Sequence, residues 1–155
     1  SILYMIASPK ESWMGWLLLE AGMTNKAFSA ELSELPAMLT WVRSHLDQTS
    51  LPKPEKMRLE IAMEEAIINV IHHAKTEEKL HLTVRHMPGR QIEFDLIDSG
   101  APFNPLTHPQ AEEDIPLEEQ TPGGKGLVLM RKCTDALLYR REGECNILTL
   151  VKKIE

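Results

Sequence analysis

Cysteine is scarce in this chain of 155 residues, and long apolar runs are missing. The two cysteines, Cys133 and Cys145, match neither a metal-ligand spacing nor a disulfide framework, so free thiols in a reducing compartment are expected. No apolar run reaches the about 20 residues that span a bilayer. The short apolar stretch from Trp13 to Leu19 lacks the basic leader of a signal peptide. We therefore expect a cytoplasmic protein without a membrane partner.

Clusters of basic side chains are also missing. The chain has 17 lysines and arginines against 23 acidic residues, and its formal net charge is −6. Non-specific binding of nucleic acid depends on clustered Lys and Arg facing phosphates, so we expect no direct nucleic-acid partner. An acidic surface instead favours basic protein partners or solubility. The length and the 43% hydrophobic content suit one domain with its own core.

Hydrophobic spacing predicts an alternation of strands and helices. A strand is predicted from Thr24 to Ala30, followed by a helix with Ser33 as its N-cap and Pro36 in its first turn. Apolar residues at steps of three and four predict a second helix from Glu55 to Ala74. Alternating apolar residues predict two hairpins, with strands over residues 80–86, 92–98, 136–141 and 146–152. A short helix over residues 127–132 precedes the second hairpin. This order suggests a two-layer α+β sandwich.

Two stretches have no convincing period. Residues 104–122 are rich in proline and acidic side chains, which predicts a long loop that is either a functional lid or disordered. Residues 1–22 form an extension that could be an extra strand or helix, or a disordered leader. We divide the chain into an extension, 1–23, and a domain, 24–155. The extension could cover the sheet, contact a partner or reflect the choice of start site.

Glu65 and Asn69 lie one helical turn apart in the predicted second helix, and therefore on one face of it. Asparagine is a poor interior helix residue, so its presence there needs a reason. Its carboxamide oxygen suits Mg²⁺, and the carboxylate could orient or deprotonate a nucleophile near that metal. The simpler interpretation of the pair alone is a solvated helix face with an incidental asparagine.

Two glycine-containing motifs follow. Asp98 at a strand end could accept a hydrogen bond from an exocyclic amine such as that of adenine, and Gly100 would let a planar ring approach the backbone. The alternative is an ordinary Asp-Ser-Gly turn. Gly124 and Gly126 precede a predicted helix, whose first N–H groups and dipole favour an anion. The alternative there is a plain helix-entry loop.

Taken in order, these motifs resemble the Bergerat ATP-binding fold of the GHKL superfamily. The segment Glu65-x-x-x-Asn69-x-x-x-His73-Ala74 resembles its N box, Asp98-Ser99-Gly100-Ala101-Pro102-Phe103 its G1 box, and Gly124-Lys125-Gly126-Leu127 its G2 box. Within the superfamily, the resemblance is to the anti-sigma-factor serine/threonine kinases of bacterial partner-switching systems. It runs from about Thr24 to the C-terminus. It implies a mixed, mostly antiparallel sheet covered on one face by about three helices.

The resemblance also implies a role for each motif. Asn69 would be the ligand of a Mg²⁺ ion that bridges the phosphates of ATP, and Glu65 would be the general base. Asp98 would bind the adenine amino group, with Gly100 lining the base pocket. The phosphates would be held by the G2 box: Gly124, Lys125, Gly126 and Leu127. His73 would pack beneath the site rather than react.

The implied activity is phosphorylation of an anti-sigma-factor antagonist, together with sequestration of a sigma factor, by a chain that is generally a homodimer. One departure affects this expectation. Many members of the family carry a basic residue just before the G2 glycines, where this chain has Gln120-Thr121-Pro122-Gly123. Either Lys125 or another lid residue substitutes for it, or phosphotransfer is slow. The alternative function is a non-catalytic ATP-binding switch for protein interaction.

Overall fold

The computed structural model describes residues 23–74, 79–107 and 124–154, and five strands in these ranges form one sheet. The strands are β1 (Met23–Ser29), β2 (Lys79–Met87), β3 (Gln91–Asp98), β4 (Ala136–Glu142) and β5 (Cys145–Lys153), in the spatial order β1-β2-β3-β5-β4. Every described pairing is antiparallel. The predicted α+β sandwich is confirmed, although the described sheet is antiparallel throughout rather than mixed.

In the part of the chain that the structure describes, three α-helices cover one face of this sheet: α1 (Leu35–Leu46), α2 (Lys53–Ala74) and α3 (Gly124–Cys133). The predicted apolar stripe of α2 is fully buried at Leu59, Met63 and Ile67. It packs in one core with strand residues such as Phe94. Each such side chain stabilises the fold by about 1.5–3 kcal/mol through the apolar area it removes from water. The stripe therefore fixes which face of α2 remains for polar side chains.

Both predicted hairpins are present. The β2–β3 turn is closed by the Arg90 N–H, which donates to the Met87 carbonyl oxygen at 3.0 Å. Gly89 has a φ of 72° in this turn, and Gly143 has a φ of 57° in the β4–β5 turn. Glycine adopts this left-handed backbone without steric cost, so the two turns set the register of their hairpins.

The start of α1 corrects the prediction that Ser33 is its N-cap. A short 3₁₀ helix (Leu32–Glu34) runs directly into α1, and Glu34 takes the cap position without a side-chain hydrogen bond. The Ser33 hydroxyl instead donates to Glu31 Oε2 at 3.4 Å. A side chain caps a helix from a residue with extended backbone. The extended residue here is Glu31, which precedes the 3₁₀ helix, whereas Ser33 lies inside that helix. Pro36 does lie in the first turn, as predicted.

The predicted lid and extension are largely outside the described residues. Residues 1–22 and 108–123 belong to none of the three described ranges, whereas the start of the lid forms a 3₁₀ turn at Pro105–Thr107. Across residues 23–74, 79–107 and 124–154, no helix combines the length and apolar character that a membrane crossing needs. Helix α3 begins at Gly124, three residues earlier than predicted, so the G2 glycines form its first turn.

Candidate functional site

A cleft opens where α2 passes the C-terminal end of β3. Asn69 from α2 and Asp98 from β3 both line it, although they come from separate sequence motifs. The remaining lining residues are Val70, His73, Ala101, Phe103, Pro105, Tyr139, Asn146 and Leu148. The empty space, counted out to the open mouth, is about 340 Å³. The lining is mainly apolar with a few convergent polar groups, which is typical of small-molecule sites.

Asp98 is buried, with 6% of its surface exposed, and it is hydrogen-bonded on one side. Its Oδ1 accepts from the Gly100 N–H at 2.9 Å and from Asn146 Nδ2 at 3.1 Å. Among the residues that the structure describes, none donates to Oδ2. That oxygen can therefore accept an N–H donor from a ligand in the cleft. Burial raises the pKa of the Asp98 carboxyl, and the two hydrogen bonds and the nearby Arg141 charge oppose the rise.

Asn146 is a site residue that the sequence analysis missed. Its Nδ2 donates to Asp98 Oδ1 and, at 2.9 Å, to the Ala101 carbonyl oxygen. Its Oδ1 accepts from the Phe103 N–H at 3.1 Å and from the Tyr139 hydroxyl at 2.6 Å. Every capacity of the carboxamide is thus used to join β5, β4 and the segment after β3. The available signal was weak: Asn146 begins the predicted strand 146–152, and asparagine is depleted in strands.

Two further contacts hold the segment after β3. Arg141 Nη1 donates to the Gly100 carbonyl oxygen at 2.7 Å. The ring of His73 stacks on Phe103 with centroids 4.0 Å apart and planes at 19°. The expected packing role of His73 agrees with this stacking. Because both contacts act on one short segment, the backbone around Gly100 has a defined position beside the cleft.

Glu65 lies one turn before Asn69, against the first turn of α3. A Cβ atom at Gly126 would come within 2.7 Å of Glu65 Oε2, closer than real Cβ contacts. Only glycine at this position leaves the carboxylate where it is. The N-terminal turn of a helix favours a negative charge, because its N–H groups and dipole point toward it. The structure therefore brings together Glu65 and Gly126, which the sequence assigned to different motifs.

For the other G2 residues the structure gives their position in α3 but few side-chain contacts. Gly124 is the first residue of α3, and the side chain of Lys125 lies outside the described parts of the chain. Leu127 is 5% exposed and packs in the helix-side core. Leu127 can therefore contribute only backbone to a ligand.

Across residues 23–74, 79–107 and 124–154, the acidic and imidazole groups do not form a metal cluster. Within the described ranges, no three His, Cys, Asp or Glu side chains are close enough to share an ion. Asn69, whose side chain has one carboxamide oxygen, lines the cleft. A single hard oxygen fits Mg²⁺, which usually takes its remaining ligands from water and substrate phosphates.

Comparison with known proteins defines the class. The model of the histidine kinase-like ATPase domain family matches residues 28–152, and the chain belongs to this family. The chain is also 33% identical over 138 residues to the serine/threonine-protein kinase BtrW of Bordetella bronchiseptica, covering 83% of this chain and 94% of that protein. The predicted membership in the serine/threonine kinase branch of the family is thereby confirmed.

Two solved structures share the fold. One contains the RsbU and RsbW domains of Rv1364c from Mycobacterium tuberculosis, with a TM-score of 0.61, 10% identity and 84% of this chain covered. This chain spans about a third of that protein, 32% of its length. The other is the SiaB-SiaC complex from Pseudomonas aeruginosa, with a TM-score of 0.59, 13% identity and 94% of each chain covered. At these identities the likeness concerns the fold alone.

Proposed function

We propose that this chain is an ATP-dependent serine/threonine protein kinase that phosphorylates an anti-sigma-factor antagonist and sequesters a sigma factor. The observation that carries the proposal is the meeting of Asn69 and Asp98 in one cleft, with Glu65 one turn back on α2. The similarity to a serine/threonine-protein kinase over nearly its whole length supports the same activity.

ATP would bind with its adenine amino group on the unoccupied side of Asp98 and its ring beside Gly100. The N–H groups of the first turn of α3, from Gly124 to Leu127, would hold phosphate, and Lys125 would add charge. Asn69 would hold a Mg²⁺ ion, which when bound with ATP neutralises phosphate charge. The structure supports this arrangement because the cleft and the glycine turn adjoin successive turns of the same helix, α2.

Glu65 would act as the general base. Its carboxylate would accept the proton of a serine hydroxyl on the antagonist, while that oxygen bonds to the γ-phosphorus and ADP departs. A positioned carboxylate and a neutralised phosphate are sufficient for such a transfer. The position of the carboxylate beside Gly126 supports this role, because Gly126 lies in the helix turn proposed for the phosphates.

The proposed partners are proteins. The antagonist would be the substrate, the sigma factor would be the sequestered partner, and the chain would act as a homodimer in the cytoplasm. A fold neighbour was solved as the SiaB-SiaC complex, which is in keeping with a protein-docking role for this fold. The formal net charge of −6 favours partners with basic surfaces.

Replacement of Glu65 tests the kinase assignment. With labelled ATP, Mg²⁺ and the cognate antagonist, Glu65→Gln should lower phosphotransfer at least about 100-fold, because it removes the base without changing side-chain volume. The affinity for ATP, measured by calorimetry, should change little. Glu64→Gln is the matched control: it alters the neighbouring carboxylate on α2 and should leave phosphotransfer near the parent rate.

A non-catalytic ATP-binding switch is the second candidate. One observation favours it: no basic residue precedes the G2 glycines at 120–123. If the parent chain binds ATP but transfers no label to the antagonist, the kinase assignment fails and the switch remains. Equal label transfer by Glu65→Gln and the parent would instead remove Glu65 from the mechanism.

A further inference from the structure

The orientation of the Asn146 carboxamide is set by two backbone groups of the segment after β3. Its Oδ1 accepts from the Phe103 N–H at 3.1 Å, and its Nδ2 donates to the Ala101 carbonyl oxygen at 2.9 Å. A backbone N–H can only donate and a carbonyl oxygen can only accept, so a flipped carboxamide would oppose donor to donor and acceptor to acceptor. Asn146 is buried, which makes such opposed pairs costly. It therefore presents its NH₂ group to Asp98.

Tyr139 adds a further bond to the same carboxamide. It belongs to the edge strand β4, and its hydroxyl donates to Asn146 Oδ1 at 2.6 Å. In the register of the sheet it is paired with Leu148 of β5, and both residues line the cleft. Asn146 is thus held from two directions, by the edge strand and by the segment after β3.

The two oxygens of the Asp98 carboxylate have unequal surroundings as a result. Oδ1 receives the Gly100 N–H at 2.9 Å and Asn146 Nδ2 at 3.1 Å. The first bond is local, between residues two apart in sequence, whereas the second comes from another strand, β5, and sets the plane of the carboxylate. In the described part of the chain, no group donates to Oδ2. This oxygen is therefore the acceptor that remains for a ligand in the cleft.

We propose that Asn146 is a positioning residue that makes the cleft select purine nucleotides with an amino group at C6. This inference rests on the proposed binding of ATP and names the side chain that sets its base preference. By donating to Oδ1 of Asp98, Asn146 keeps Oδ2 oriented as an acceptor, which suits an N–H donor of the base. Tyr139 and the backbone of residues 101–103 maintain this arrangement. The base preference therefore depends on strand β4 as well as on the Asp98 carboxylate.

A purely structural role for Asn146 predicts a different behaviour. If the residue only joined strands and shaped the cleft, its removal would weaken the binding of every purine nucleotide by the same factor. If it positions Asp98, its removal should weaken a nucleotide that has the 6-amino group and largely spare one that lacks it. The ratio of the two affinities separates these roles, because losses common to both nucleotides cancel in it.

Calorimetry of the full-length chain with two nucleotides measures this ratio. The probes are ATP and purine riboside 5′-triphosphate, which has hydrogen in place of the 6-amino group. The parent should prefer ATP about 30-fold, as expected for one hydrogen bond to a charged acceptor. Asn146→Ala should lower this preference about tenfold. An unchanged preference in Asn146→Ala, or a parent without any preference, would overturn the proposal.

Asn104→Ala is the matched control. It also removes a carboxamide from the neighbourhood of the cleft, one whose Oδ1 accepts from the Leu106 N–H at 2.9 Å. Asn104 has no bond to Asp98 among the described contacts, so this variant should keep the preference of the parent. A loss of preference as large as that of Asn146→Ala would overturn the proposal too, because the effect would then not depend on Asp98.

If Asn146→Ala fails to fold, Tyr139→Phe decides. This variant keeps the ring in the cleft and removes only the hydroxyl that donates to Asn146. The preference for ATP should fall about threefold, since the Phe103 N–H still holds the carboxamide. An unchanged preference in Tyr139→Phe would then overturn the proposal.

Label transfer separates this inference from the proposed kinase activity, because the affinity ratio involves no transfer step. A parent that prefers ATP, and whose preference falls in Asn146→Ala, supports the inference even if it labels no antagonist and the kinase assignment fails. A parent that labels the antagonist while Asn146→Ala keeps the full preference has the reverse outcome: the kinase assignment stands and this inference fails.

Discussion

Two aspartates on β3 lie three residues apart on opposite faces of the sheet, and their surroundings differ in one respect. Asp98 is 6% exposed and Asp95 is 8% exposed, so burial does not distinguish them. Both accept hydrogen bonds from a neighbouring strand. Asp95 is bonded on both oxygens, by the hydroxyls of Thr83 and Thr149. Asp98 is bonded on Oδ1 by protein groups and lines an open cleft.

The difference teaches which buried carboxylates are available to a ligand. A buried carboxylate needs hydrogen bonds, and the protein can supply all of them or leave some to a bound molecule. Asp95 belongs to the first kind and ties β2, β3 and β5 together. Asp98 belongs to the second kind, with Asn146 fixing its orientation. The number of acceptor sites left open, rather than burial, identifies the binding residue.

Asp98→Asn should produce the largest effect. We expect ATP affinity to fall about 100-fold, close to 3 kcal/mol, because an anionic acceptor facing the cleft is replaced by a neutral amide. The free energy of unfolding should not fall. Calorimetry with ATP and urea unfolding measure the two quantities. The control is Asp95→Asn, which should bind ATP normally; equal losses in both variants would abolish the distinction between the two aspartates.

Asp95→Ala should lower the stability of the fold and leave the affinity for ATP unchanged, the opposite of Asp98→Asn. It leaves the buried Thr83 and Thr149 hydroxyls without their acceptor, so the free energy of unfolding should drop by about 2 kcal/mol. Affinity for ATP should stay near that of the parent, since Asp95 is on the other face. A triple variant, Thr83→Val with Asp95→Leu and Thr149→Val, should recover much of the stability because no polar group stays unpaired. If Asp95→Ala leaves the free energy of urea unfolding unchanged, the bonds of Asp95 to Thr83 and Thr149 do not stabilise the fold.

The smallest expected effect is a pH dependence of the free energy of unfolding that is caused by the Asp98 carboxyl. Its raised pKa means that the folded state holds the proton more tightly than the unfolded state does. The resulting stabilisation is fully present below the ordinary pKa of 3.8 and is lost as the pH rises through the raised value. The stability of the parent relative to Asp98→Asn should therefore decline as the pH rises above 3.8. Urea unfolding of both chains at each pH measures this, and a constant difference would contradict it.

Local patterns predicted most of the fold. The strands of both hairpins and the span of α2 follow from periodicity, which depends only on neighbouring residues. The predicted N-cap of α1, Ser33, was wrong because Ser33 lies within the preceding 3₁₀ helix, and Glu34 takes the cap position. Asn146, Tyr139 and Arg141 were missed because their roles depend on bonds across strands that are distant in sequence. Periodicity carries no information about such pairings.

The sequence by itself determined that Glu65 and Asn69 share a helix face and that Asp98 ends a strand before Gly100. Both features are local, since helix and strand geometry place residues a few positions apart. Only the tertiary structure decided that Asn69 and Asp98 line one cleft and that Glu65 packs against Gly126. It also separated Asp98 from Asp95, because the neighbouring strands determine which carboxylate oxygens are already bonded.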